Sequence, residues 1–110
     1  GAISVSGIYD LEPIRLCYQN AALKLDHGAV ARNSPLSLQP RTGRIILTVG
    51  EEEPEEFRRQ QAAFAAAWAQ KGVKVETVPA PGLHHFDILE KLGDPTHPIG
   101  RAALALVKSV

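Results

Sequence analysis

The chain has 110 residues, 45% of them apolar and 22% charged, and its 12 basic and 12 acidic side chains leave a formal net charge of zero. That is the composition of one globular domain; the balanced charge argues against a nucleic-acid surface, which carries a basic excess, and no apolar run approaches the roughly 18 residues that span a bilayer. Cys17 is the single cysteine, which excludes an internal disulfide and a cysteine-rich zinc site and fits a reducing, cytoplasmic setting.

Ala2 to Ile8 combines small and β-branched residues between glycines and predicts a buried strand. It opens the sequence without a lead-in, and the chain has no methionine. Both features raise the expectation that these residues are a stretch of a longer sequence. Tyr9 to Pro13 reads as a turn, with Asp10 as a turn or capping residue and Pro13 placed to open a short helix. Ile14, Leu16, Cys17, Ala21 and Leu25 recur loosely at helical spacing, with Cys17 read as a small buried hydrophobe. Asp26 can cap a further turn. Asn33 to Leu36 is expected to be a loop, because Pro35 pushes Ser34 out of the α region.

Arg44 to Val49 is an apolar, β-branched run ending at Gly50, the pattern of a strand covered on both faces. Pro54 to Lys71 predicts a long helix rich in good formers, with Phe57, Phe64 and Trp68 on one face, the run from Ala62 to Ala69 as a packing surface, and Gly72 as its stop. Val73 to Val78 alternates and predicts a strand nearer the sheet edge. A loop from Pro79 to His84, a short helix from Phe86 to Leu92 and an amphipathic helix from Ile99 to Val110 complete the chain. Strand, long helix, strand is the parallel crossover unit, so the fold class is α/β with about three parallel strands flanked by helices.

In parallel sheets, functional groups gather at the C-terminal strand ends. Two loops qualify here: Gly50-Glu51-Glu52-Glu53-Pro54 and Pro79-Ala80-Pro81-Gly82-Leu83-His84-His85-Phe86. A carboxylate on the first and a histidine on the second would face each other across adjacent strands, as an acid–base relay requires. From the residues alone a second reading stands beside this one. The glutamates could be a charge cluster complementing a helix dipole, and the histidines surface decoration. His27 and His97 lie in polar surroundings and are expected to be exposed. Adjacent His84 and His85 are a poor ligand pair for one zinc ion, and no metal or organic cofactor is implied.

Four segments in order carry a resemblance: Ser-Gly-Ile-Tyr-Asp-Leu (6–11), Ser-Pro-Leu (34–36), Val-Gly-Glu-Glu-Glu to Glu-Phe-Arg-Arg-Gln (49–60) and His-His-Phe-Asp-Ile-Leu (84–89). Together they resemble the C-terminal half of α/β-hydrolases of the arylformamidase and related esterase group, over nearly the whole chain. The resemblance implies that residues 1–110 are a partial α/β-hydrolase domain whose parent is a serine hydrolase of small acyl esters or aryl formamides. It selects Glu53 as triad acid, with Glu52 as the alternative, and His85 as the base. It also places Ser34 and Pro35 in a loop near the active-site mouth.

The nucleophile motif of that group, Gly-x-Ser-x-Gly, is missing: none of Ser4, Ser6, Ser34, Ser37 and Ser109 has glycines two residues away on both sides. The expectation is a chain that supplies acid and histidine but is inactive alone. The rival expectation is a non-catalytic fragment or interaction module. On either reading the exposed sheet edge beside Ala2 to Ile8 favours a homo-oligomer or pairing with the absent half, without nucleic acid or membrane.

Overall fold

The computed structural model describes residues 1–41 and 43–109. Its centre is a three-stranded parallel sheet in the order β1-β2-β3, formed by β1 (Ala2–Val5), β2 (Arg44–Thr48) and β3 (Lys74–Thr77). Helices flank it: α1 (Glu12–Arg15), α2 (Asn20–Leu23), α3 (His27–Asn33), α4 (Glu55–Gln70), α5 (Ile88–Leu92) and α6 (Pro98–Lys108). The α/β class expected from the sequence is the one observed.

β2 lies between the other two strands and its side chains are covered on both sides. Consecutive strand residues point to opposite faces, and Ile46 and Leu47, both fully buried, enter two different clusters. Ile46 joins Val78, Ala80, Leu83, Ile88, Ile99 and Leu106, the layer supplied by α5, α6 and the loop after β3. Leu47 joins Tyr9 and Phe64, the layer supplied by α4. There Tyr9 stacks on Phe64 at 4.1 Å between ring centroids, and Phe64 meets Trp68 at 4.4 Å. The Trp68 indole N–H donates to the Pro35 carbonyl at 3.0 Å, tying a short 3₁₀ turn (Pro35–Ser37) to α4. α4 begins at Pro54 without a side-chain cap; Glu55 and Glu56 in its first turn complement the helix dipole. It stops before Gly72, whose φ of +89° lies in the left-handed region.

Several boundaries depart from the sequence expectation. β1 stops at Val5, because Ser6 takes φ +51° and turns the chain away, leaving Ile8 exposed. The helix expected over Ile14 to Leu25 is two single turns, α1 and α2. Leu16 is 70% and Tyr18 87% exposed, so the apolar spacing there buries no continuous face. Cys17 is only half-buried, its thiol donating to the Ile14 carbonyl at 3.1 Å. In the Ala-rich part of α4, Ala65 packs on the Leu47 cluster, whereas Ala62, Ala66 and Ala69 face solvent. The short helix α5 starts at Ile88, and Phe86 stands exposed before it. Asp26 does cap α3, accepting from the Ala29 N–H at 2.7 Å. His27 is exposed as expected; His97 is half-buried and caps α6, its Nδ1 accepting from the Ile99 N–H. The expected end of the last helix at Val110 falls outside the described residues.

Candidate active site

The pairing of β2 with β3 continues past the strand ends, and this continuation builds the site. Gly50 and Ala80 form a parallel bridge. The Glu51 N–H donates to the Ala80 carbonyl and the Glu52 N–H to the Leu83 carbonyl, each at 3.0 Å. The two loops are thus stitched together backbone to backbone. Gly50 permits it: a Cβ there would stand 2.3 Å from the Leu83 carbonyl oxygen. Gly82, at φ +72°, makes the turn that brings the chain back toward the first loop.

Across this seam Glu53 and His85 meet. Glu53 Oε1 lies 2.6 Å from His85 Nδ1. Its other oxygen, Oε2, accepts from the Ser6 hydroxyl and from the Gly50 N–H, each at 2.6 Å. The Glu53 side chain is fully buried and that of His85 is 49% exposed, so the acid sits inside and the imidazole opens outward. Burial alone would raise the Glu53 pKa. The hydrogen bonds from Ser6, Gly50 and His85, together with the charge on His85, outweigh it and hold the carboxyl below its ordinary range. An ionised carboxylate can only accept, so the Nδ1 facing it carries the proton. In the neutral ring Nε2 then has a free lone pair, and it has no hydrogen-bond partner among the described residues. Phe57 packs on the ring at 5.5 Å and Phe86 meets it edge-on at 5.4 Å, which restrains its rotation.

The neighbouring acids and histidine are placed differently. Glu51 and Glu52 are exposed, and no side-chain hydrogen bond of theirs reaches the imidazole among the described residues. The Glu52 alternative therefore lacks the contact that Glu53 makes. His84 closes its own turn: its backbone N–H donates to Asp87 Oδ1 at 2.7 Å and its Nε2 lies 3.2 Å from Asp87 Oδ2. Asp10 accepts from the Glu12 N–H at 3.0 Å, the turn role expected of it. Ser34 is buried, and its hydroxyl accepts from the Leu11 N–H at 2.9 Å, fixing the segment after Tyr9.

Two residues that matter here escaped the sequence reading. Ser6 bonds a carboxylate 47 positions away, a contact with no local signature beyond a polar residue at the C-terminal end of a strand. Gln60, buried in α4, accepts from the N–H groups of Tyr9 and Asp10 and donates to the Asp10 carbonyl, holding the segment after Ser6 against the helix. A glutamine on the apolar face of a helix is the signal that could have found it. Phe57 also lines a small groove with Ile8, Pro13, Ile14, Glu56 and Gln60. Among the described residues no cluster of His, Cys, Asp and Glu could hold a metal ion, and no helix is long and apolar enough to cross a membrane.

A parallel α/β sheet with a buried carboxylate and a half-open histidine at adjacent strand ends is the class of arrangement found here. Comparison with known proteins adds two relatives. A kynurenine formamidase of Salmo salar is 38% identical over 101 residues, covering 86% of this chain and 34% of that protein. A kynurenine formamidase of Danio rerio is 33% identical over 113 aligned residues, covering 97% of this chain and 39% of that protein. The chain therefore spans between a third and two fifths of the length of these curated relatives. No family model matches the chain.

Proposed function

We propose that residues 1–110 are the acid- and histidine-bearing part of an α/β-hydrolase that cleaves aryl formamides or small acyl esters with a serine nucleophile. The observation that carries the reading is the 2.6 Å contact between the buried Glu53 carboxylate and the half-exposed His85 ring. The similarity to proteins named kynurenine formamidase supports a formamide as substrate. In this mechanism Glu53 fixes the Nδ1–H tautomer of His85 and stabilises its charged form. Nε2 takes the proton from a serine hydroxyl as that oxygen attacks the formyl carbon, then returns it to the departing arylamine. Water, activated by the same nitrogen, frees formate from the serine ester.

The serine comes from residues outside these 110, because no Gly-x-Ser-x-Gly occurs among them. The molecule also has surface in want of cover: β1 is an outer strand with one unpaired edge, and Leu16, Tyr18 and Leu23 are exposed apolar side chains near it in sequence. The part that bears the nucleophile, or a second copy of the chain, would cover them. The test is a fluorophosphonate serine probe together with N-formyl arylamine turnover. The 110-residue chain should neither label nor turn over. The polypeptide that joins it to a Gly-x-Ser-x-Gly segment should do both. Labelling of the short chain abolished by His85→Ala, or no turnover by the joined protein, would refute the proposal.

A further inference from the structure

Ser6 occupies a conformation that its residue type does not favour. Its φ of +51° is left-handed, where a Cβ crowds the following carbonyl and glycine is the unstrained choice. Glycine is in fact the next residue, Gly7, so the chain places the strained turn on serine although glycine stands beside it. What serine has and glycine lacks is the hydroxyl, and that hydroxyl donates to Glu53 Oε2 at 2.6 Å. The backbone around it is anchored separately, by the Ser6 N–H donating to the Thr48 carbonyl at 2.9 Å. A strained residue that persists in a defined geometry at a candidate site points to a role for its side chain.

We propose that Ser6 is the positioning residue of the acid: its hydroxyl, together with the Gly50 N–H, occupies Oε2, so that Oε1 is left aimed at His85 Nδ1. Without it, the Glu53 side chain retains one fixed donor on that oxygen and can rotate about its last torsion. The oxygen facing the imidazole is then no longer held at 2.6 Å. This deepens the reading of Glu53 as the partner of His85, but it stands on the ground-state geometry of the pair and not on hydrolysis.

Three substitutions separate hydroxyl from strain in the 110-residue chain. Ser6→Gly removes both, Ser6→Ala removes the hydroxyl and keeps the strain, and Ser6→Thr keeps the hydroxyl and worsens the strain. The titration of the Glu53 carboxyl carbon is followed by NMR alongside the low-field signal of the His85 Nδ1 proton, and the urea midpoint is measured for each variant. The other ionisable groups on the two loops and the first turn of α4, namely Glu51, Glu52, Glu55, Glu56, His84 and Asp87, are the same in all three variants.

Loss of one hydrogen bond to a charged group should raise the Glu53 midpoint by about one pH unit or more in Ser6→Gly and Ser6→Ala. The Nδ1 proton signal should broaden in both. Ser6→Thr should titrate as the parent does, and Ser6→Gly should be more stable to urea than Ser6→Ala, because those two differ in strain and not in the hydroxyl. A Glu53 midpoint unchanged in Ser6→Gly would overturn the proposal. So would a shift in all three variants that followed their stability instead of their hydroxyl. If the hydrolase reading alone were wrong, the titrations would keep this pattern while the protein carrying the nucleophile turned over no formamide.

Discussion

Gly50→Ala puts a single methyl group into the seam that holds the site together. The new Cβ would stand 2.3 Å from the Leu83 carbonyl oxygen, 2.9 Å from its carbonyl carbon and 3.1 Å from Glu53 Oε2. The first two are backbone atoms, so no rotamer change relieves them. Cβ contacts essentially never fall under 3.0 Å, so the two loops must part by at least the difference from 2.3 Å, 0.7 Å. The bonds from Glu52 N–H to Leu83 and from Glu51 N–H to Ala80, both 3.0 Å, stretch or break. His85 lies two residues beyond Leu83 and moves with it. Overpacking of this kind costs about 1–3 kcal/mol, and each weakened backbone hydrogen bond adds about 1 kcal/mol. The sum is a loss of about 3–5 kcal/mol, or a fall of about 1.5–2.5 M in urea midpoint at a slope of about 2 kcal/mol per M for a small domain. Trp68, the single tryptophan, packed on Phe64, reports the transition by fluorescence. An unchanged midpoint with an unchanged His85 Nδ1 proton signal would show that the seam does not position the pair.

Two further outcomes follow from the same geometry. The Glu53 pKa is lower in the fold than in the unfolded chain. Its contribution to stability is therefore complete above the unfolded value of about 4.3 and is lost as pH falls through the lower folded value. The urea midpoint should drop with acidification below about pH 4.3, with a shallower drop in Glu53→Gln; identical curves for Glu53→Gln and the parent would contradict the lowered pKa. Gln60→Leu strips the acceptor from the Tyr9 and Asp10 N–H groups. It should cost about 2–6 kcal/mol in denaturant unfolding, since each of the two orphaned donors costs about 1–3 kcal/mol when buried; a loss under 1 kcal/mol would mean that water replaces the glutamine.

The second half of the chain was legible because its signals are local and strong. Ile45, Ile46 and Leu47 make an apolar core strand, α4 carries a long run of helix formers, and Gly72 ends it. The two loops at the strand ends then bring Glu53 and His85 to the same side of the sheet. The first half was less legible for a physical reason. Leu16, Tyr18 and Leu23 supply helical spacing but bury no face of this chain, so the periodicity did not correspond to a packed helix. Ser6 could not be found by any local rule, because its left-handed φ and its bond to Glu53 both follow from tertiary geometry. Among the three adjacent glutamates, sequence offered Glu53 with Glu52 in reserve; burial and hydrogen bonding separate them, since only Glu53 turns inward.

The central claim is that Glu53 and His85 work as the acid and base of a hydrolytic relay, and steady-state kinetics test it most directly. In a polypeptide that joins these residues to the segment bearing the serine, formate release from an N-formyl arylamine is followed for the parent, His85→Ala, Glu53→Gln and Glu52→Gln. His85→Ala should lower kcat by several orders of magnitude with little change in KM, because the serine loses its base. Glu53→Gln should also cost orders of magnitude, since its amide would favour the wrong tautomer, and Glu52→Gln should behave as the parent. Turnover within a few-fold of the parent in His85→Ala, or equal mild losses in the two glutamate variants, would contradict the account.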